Sequence, residues 1–388
     1  MPLDPTFVAD PYPTFAAMRN EREVHWHEEL GLPVAVSHAA CSAVLRDRGL
    51  GRLWKDKEPV AAFGAFNMLH RNSLLENEPP THTRLRRLIS AAFGRGHTER
   101  LRPMVSRLAD RLVGNLADRI AADGSADLLE HVAGPLPVEV IGELLGVPAA
   151  DRGLLQPWSN TIVKMYEYGV APAQAALAEQ ASGEFAAYLR TLTGQPGLIS
   201  DLVAVRDGSD RLSDDELVAT GVLLLMAGHE ATVNVIGNGV LALLRYRSQW
   251  ELLVSTSDLL PGAVEELLRF DPPLQLFERT ATAPVVVGGY EVAAGTKVAA
   301  LLGAAARDPA VFDEPDRLDI TRSPNPHLSF GAGIHYCVGA PLARVEIAAA
   351  LRALCDRLPG LRLASEPLRR PEFVIRGLQS LPVTVGPV

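Results

Sequence analysis

The stretch from Ser213 to about Arg245 reads as one long helix whose centre is apolar on nearly every side. It starts on "SDDE" (213–216), a capping box in which Ser213 caps the first turn and Glu216 reaches back to the Ser213 amide. A helix with no polar face has to be wrapped by other protein. Its most apolar run, "VLLLMAG" (222–228), ends at His229 and Glu230 and is too short to span a bilayer. The remainder of a 388-residue chain is long enough to form the wrapping. The first twenty residues carry prolines and charges where a signal peptide needs an apolar run. The expectation is a soluble, cytoplasmic protein with no membrane partner.

Helical patterns dominate the rest of the chain. In 100–121, Leu101, Met104, Leu108, Leu112 and Leu116 recur every three or four residues, as on an amphipathic helix. Strand signals are short. "VHWH" (24–27) and "PVAVS" (33–37) flank Gly31 like a hairpin, and "APVVVGGYEV" (283–292) with the following "AGTKVAA" suggests a second small sheet. No repeat or Pro/Gly-rich linker divides the chain. The reading is a mainly α single domain over 1–388, with a long central helix, small β-sheets and a minor β-rich part at about 20–60. A net charge of −9 argues against nucleic acid as a partner.

A coil from about 303 to 336 ends at "FGAGIHYCVG" (330–339), and long coils inside compact domains are usually functional. Cys41, Cys337 and Cys355 are too few and too scattered for a disulfide framework. Gly331, Gly333 and Gly339 let the backbone around Cys337 turn tightly or approach a flat ligand. "APLARVEIAAALRALCDRL" then reads as a helix with Pro341 in its first turn, so Cys337 sits just before a helix N-terminus, where thiolate is favoured. Burial as a small hydrophobe is the ordinary fate of a cysteine. A zinc site on His327, His335 and Cys337 lacks the usual fourth ligand and paired spacing. A redox or nucleophilic cysteine lacks a Cys-x-x-Cys or an evident partner. A single thiolate to haem iron needs only one cysteine.

Phe330-Gly331-x-Gly333-x-His335-x-Cys337-x-Gly339 resembles the haem signature of the cytochrome P-450 monooxygenases. The resemblance runs from "DPYPTFAAMR" (10–19) to "RGLQSLPV" (376–383). It implies the fold of that family and haem b, with Cys337 as the axial iron ligand, Phe330 beside the sulfur and Gly339 in the cofactor loop. His335 is implied as a propionate ligand, along with His82 and Arg86 in "PPTHTRLRRL" and Arg279 in "FERTAT". "EELLRF" (265–270) resembles the family's Glu-x-x-Arg motif. Glu266 and Arg269 would form its buried pair, and Arg317 in "DEPDRLD" would complete it.

The family pattern Ala-Gly-x-(Asp/Glu)-Thr appears here as "AGHEAT" (227–232). Glu230 matches the acid that serves proton delivery. The alcohol position is Ala231, and Thr232 lies about 100° further round the helix. Three explanations stay open: a substrate group holds the missing water, Glu230 with extra water suffices, or the chemistry is peroxide-driven oxidation or oxidative coupling. The resemblance further implies a pocket of Phe63, Phe66, Met68, Ala227, Leu274, Leu276 and Leu378, with Asn67, Glu230 and Gln275 as polar contacts, although core packing alone would also explain each of them. The implied reaction inserts one oxygen atom of dioxygen into a small hydrophobic substrate, a natural-product intermediate. A ferredoxin or flavoprotein would supply electrons at a face holding Arg86, Arg87 and Arg95, and the protein would be a monomer. The rival is a non-catalytic haem protein that senses a small ligand.

Overall fold

The computed structural model describes residues 4–386 except 93–94 and 206–209, and leaves out the side chains of 91, 92, 95 and 97, Arg95 among them. The described chain groups into two compact units. The first takes in residues up to 51, 105–136 and 231 onward; the second takes in 52–104 and 137–230. Each is assembled from separate stretches, so no linker in the sequence marks them.

In the first unit the hairpin Val24–His27 / Leu32–Ala35 forms as the alternation around Gly31 predicts. It does not stand alone. Lys297–Leu301 adds in parallel to Leu32–Ala35, Leu276–Ala281 pairs antiparallel with Lys297–Leu301, and Leu50–Gly51 closes the edge. The β-rich part of residues 20–60 thus supplies three strands of a five-stranded sheet completed by two distant ones. Val285–Val287 and Tyr290–Val292 form a separate hairpin. The helix His38–Arg46 packs on the sheet over a buried cluster that includes Ala35, Cys41, Val44, Leu45, Val298 and Ala300.

The predicted long helix runs from Asp214 to Arg245. Its capping box is made as expected. The Ser213 amide donates to Glu216 Oε2 at 2.8 Å, and the Glu216 amide donates to Ser213 Oγ at 3.2 Å. Two-thirds of its most apolar window is buried within the protein, as for a core helix. At Gly239 the helix comes so close to Leu260–Phe270 that a Cβ would sit 2.8 Å from Leu267. The 100–121 pattern belongs to a helix over Arg95–Asp123. The second unit is helical, with Gly64–Arg71, Thr81–Ala92, Pro135–Leu145, Leu155–Val163 and Pro172–Thr191 as its main elements.

Candidate functional site

The cysteine loop is held from below by the sheet. Leu328 and Ala332 are buried in the same cluster as Cys41 and Leu45. Gly333 has φ +69°, and a Cβ there would lie 2.7 Å from the Leu45 carbonyl oxygen, so only glycine fits between loop and helix. The loop ends in a short 3₁₀ turn, Gly333–His335, and the Cys337 amide donates to the Phe330 carbonyl at 2.9 Å. Gly339 then caps the helix Ala340–Arg357, with Pro341 in its first turn. Cys337 therefore stands at the positive end of that helix, as the sequence implied.

The three thiols differ in the way that matters. Burial pushes Cys41 far up, and its Sγ lies 3.2 Å from the Ala35 carbonyl. Burial likewise pushes Cys355 up to about 12. Cys337 alone is only half-buried. It is the one cysteine sulfur of the three that burial does not close off. Among the described residues no three His, Cys, Asp or Glu side chains gather to hold an ion between them. His327, considered for zinc above, is engaged otherwise. Its Nδ1 accepts the Ser329 amide at 3.2 Å, so Nε2 carries the proton toward Glu265 Oε2, 3.1 Å away. One half-buried cysteine sulfur just before a helix N-terminus suits a group that brings its own in-plane donors, and a haem is such a group.

The other expected ligands of that group are distributed over both units. In the first, His335 is half-buried beside the loop, and Arg279 is 4% exposed on the strand Leu276–Ala281, with Nη1 donating to the Glu278 carbonyl at 2.9 Å. In the second, His82 is buried and Arg86 half-buried on one face of Thr81–Ala92, while Arg87 points to solvent from another face.

Along the otherwise buried central helix, Leu224, Ala227, Gly228 and Ala231 form one stripe, at the three- and four-residue spacing of a single face, that other protein does not fully cover. Ala227 in mid-helix is exposed. Nothing on the stripe carries a hydroxyl. Glu230 and Thr232 flank it and are buried, and Glu230 Oε1 is 4.0 Å from His229 Nδ1.

Glu266 and Arg269 form the expected pair, fully buried, through two bonds of 2.7 and 2.8 Å. Arg269 also donates to the carbonyls of Ala306, Pro315 and Arg317, and Glu266 accepts the Asp319 amide and Asn325 Nδ2. The third side chain of this hub is Arg322, whose Nε is 3.1 Å from Glu266 Oε2. Arg317, assigned that place from the sequence, turns outward to Glu314 and lends only its backbone carbonyl. Arg322 lies five residues on, past a bend in an irregular segment, where spacing carries no facing information.

Of the pocket candidates, Met68 and Leu274 are half-buried, and Phe63, Phe66, Leu276 and Leu378 are buried. Phe66 stacks against His70 and Trp54, at 4.0 and 6.0 Å between ring centroids. Two of the polar candidates bond to backbone, Asn67 through both ends of its amide and Gln275 through Nε2 alone. Asn67 exchanges hydrogen bonds with both backbone groups of Lys57, and Gln275 Nε2 donates to the Pro272 carbonyl beneath Gly303.

Two networks escaped the sequence reading. Asp271 accepts from Tyr12 Oη at 2.5 Å, Arg376 Nε at 2.8 Å and Arg369 Nη2 at 3.1 Å. Burial opposes its charge, but these neighbours hold its carboxyl well below the usual range. Glu265 takes a two-bond fork from Arg344 at 2.6 and 2.9 Å as well as His327. Here too burial works the other way, and the bonds from Arg344 and His327 bring the carboxyl down to about 2. Both networks join residues dozens of positions apart, which no local spacing signals.

Comparison with known proteins bears on the family and the fold. The family model described as cytochrome P450 matches residues 254–358. The chain is 40% identical to cytochrome P450 monooxygenase PikC of Streptomyces venezuelae, over 98% of this chain and 92% of that protein. It is 37% identical to 6-deoxyerythronolide B hydroxylase of Saccharopolyspora erythraea, over 97% and 96%. It superposes with a TM-score of 0.91, at 33% identity over 98% and 99% of the two chains, on P450BioI solved with acyl carrier protein bearing hexadec-9Z-enoic acid.

Proposed function

The chain belongs to the cytochrome P450 family and is a haem-thiolate monooxygenase that uses dioxygen and a redox partner, and from that premise we propose that it hydroxylates or epoxidises a hydrophobic polyketide- or macrolide-type intermediate that itself completes the proton relay. Cys337 would hold the haem, which would supply the activation of dioxygen for insertion of one oxygen atom into the substrate. In this reading His335, Arg279, His82 and Arg86 neutralise the propionates, as arginine and histidine donors suit paired carboxylates. Electrons come from a ferredoxin or flavoprotein, and the enzyme works as a cytoplasmic monomer.

The observation that carries the relay is the open stripe Leu224–Ala227–Gly228–Ala231, which has no hydroxyl. Ala227, Gly228 and Ala231 on that stripe are small enough to leave space for a substrate. Glu230 is buried beside it, but no alcohol on the stripe can fix a water between that carboxyl and the reacting centre. A substrate hydroxyl or carbonyl in that place would do so, and efficiency would then depend on the substrate. The name of one relative, a 6-deoxyerythronolide B hydroxylase, points to an oxygen-rich ring of this kind.

The test is turnover of the haem-loaded protein and of Ala231→Thr with two ligand types, 6-deoxyerythronolide B and hexadecenoic acid. Each is first titrated by its shift of the Soret band. The reading expects Ala231→Thr to lower the peroxide-to-product ratio with the fatty acid and to change it little with the hydroxylated ring. Equal ratios for parent and variant with both ligands would remove the substrate from the relay.

A further inference from the structure

We propose that Glu265, acting through Arg344 and His327, is a positioning residue for the iron-ligating loop and so sets the surroundings of the Cys337 sulfur. The proposal rests on the haem-thiolate reading. Glu265 and Glu266 are adjacent on Leu260–Phe270, and about 100° of helix rotation sends them to different tasks. Glu266 faces the irregular segment 315–325. Glu265 faces the helix that follows the cysteine and the coil that precedes it.

Its partners grip the loop at both ends. Arg344 is on the second turn of Ala340–Arg357 and gives Nε and Nη2 to the two Glu265 oxygens. Held flat in that way, its guanidinium lies 4.5 Å from the centre of the Phe330 ring. Its Nη1 points at the Tyr336 hydroxyl, 3.5 Å away. On the other side His327 binds Glu265 Oε2 through Nε2 and takes the Ser329 amide on Nδ1, while Ser329 Oγ donates to the Leu268 carbonyl at 2.6 Å. The Phe330 carbonyl is the acceptor for the Cys337 amide. Anything that lets Phe330 shift therefore moves a bond made by the cysteine itself.

An ordinary surface ion pair would do none of this and would be worth little. What distinguishes this one is that a single carboxylate fixes a cation over the Phe330 ring and a histidine whose ring centre lies 5.9 Å from the same phenyl. Only arginine can offer the fork and the stacking plane together; lysine supplies charge alone.

The test uses the full-length haem-loaded protein with Glu265→Gln, Arg344→Gln and Arg344→Lys. Arg357→Gln is the control, since it removes an exposed pair with Asp110 from the far end of the same helix. Two properties are read: the share of the reduced carbon monoxide complex that absorbs at the thiolate position, and the reduction potential from dye titration. Glu265→Gln and Arg344→Gln should raise the non-thiolate share several-fold and shift the potential. Arg344→Lys should fall between them and the parent, and Arg357→Gln should match the parent. Should Glu265→Gln not fold, Arg344→Lys, which keeps the charge and the side-chain stem, still reports on the fork. Parent-like share and potential in the folded Glu265 and Arg344 variants would overturn the proposal. Absence of any thiolate band in the unmodified protein would instead overturn the reading beneath it.

Discussion

At the scale of single residues, a buried charge is tolerated only where its bonds are made. Glu266 and Arg269, themselves fully buried, satisfy each other and six backbone groups or neighbours. Breaking such a pair leaves an uncompensated buried charge, so Arg269→Ala should cost about 3–5 kcal/mol in urea unfolding. Arg322→Ala should cost about 1.5–3 kcal/mol, the worth of hydrogen bonds to a charged group. Arg317→Ala should stay within about 0.5 kcal/mol, as surface changes do. That ranking separates the observed hub from the one the motif resemblance implied. Glu346 is the opposite case. It is 3% exposed on the helix after the cysteine, and burial alone pushes its carboxyl well above the ordinary range. A carboxyl with a raised folded pKa favours the folded state while protonated in both states, and that advantage is lost as pH rises above its unfolded value near 4.5. Stability measured from pH 4.5 upward should therefore fall less steeply in Glu346→Gln than in the parent. Parallel pH profiles would mean that the carboxyl is not a cost.

At the scale of elements, the long helix was the most legible feature because its signals are local. Its capping box, length and all-round apolarity each follow from neighbours within a few turns. Ser213→Ala removes one reciprocal bond of the box and should lower thermal stability by about 1 kcal/mol. The hairpin at Gly31 and the cysteine helix with its proline were equally readable. The strand Lys297–Leu301 was not. Its sequence fits the hairpin before it, yet it pairs in parallel with Leu32–Ala35, a partner far away along the chain. Pairing of that kind depends on which faces the rest of the fold leaves to be covered, and no local pattern encodes it.

At the scale of the whole molecule, the ends of the chain are tied together by one buried carboxylate. Asp271 holds Tyr12, Arg369 and Arg376, and Arg376 in turn donates to the carbonyls of Val8 and Ala9. Asn238 of the central helix donates to the Arg376 carbonyl at 3.2 Å, just before the strand Leu378–Ser380. Because its folded pKa is depressed, Asp271 contributes stability above its unfolded value near 4, and the contribution drains away as pH falls below it. Asp271→Asn should therefore be most destabilising near neutral pH, with the gap to the parent narrowing in acid. Since the same network seats Leu378, the variant should also alter the Soret response to bulky ligands. A gap independent of pH would mean that the carboxylate charge is not what holds the latch.

Taken alone, the sequence determined what is local or chemically singular: a core helix with its cap, an alternation around a turn, and one cysteine among glycines before a helix. It also determined that Ala231 has no hydroxyl to offer, since an absent oxygen needs no coordinates to be seen. Tertiary structure decided which charges meet. Arg322 rather than Arg317 completes the Glu266 hub, Glu265 reaches Arg344 seventy-nine residues away, and Asn67 and Gln275 serve the backbone instead of facing a ligand. The physical reason is the same each time. Helix and turn preferences act over a few residues, whereas a buried polar group has to find its partner in space, and only the folded chain fixes which partners are within reach.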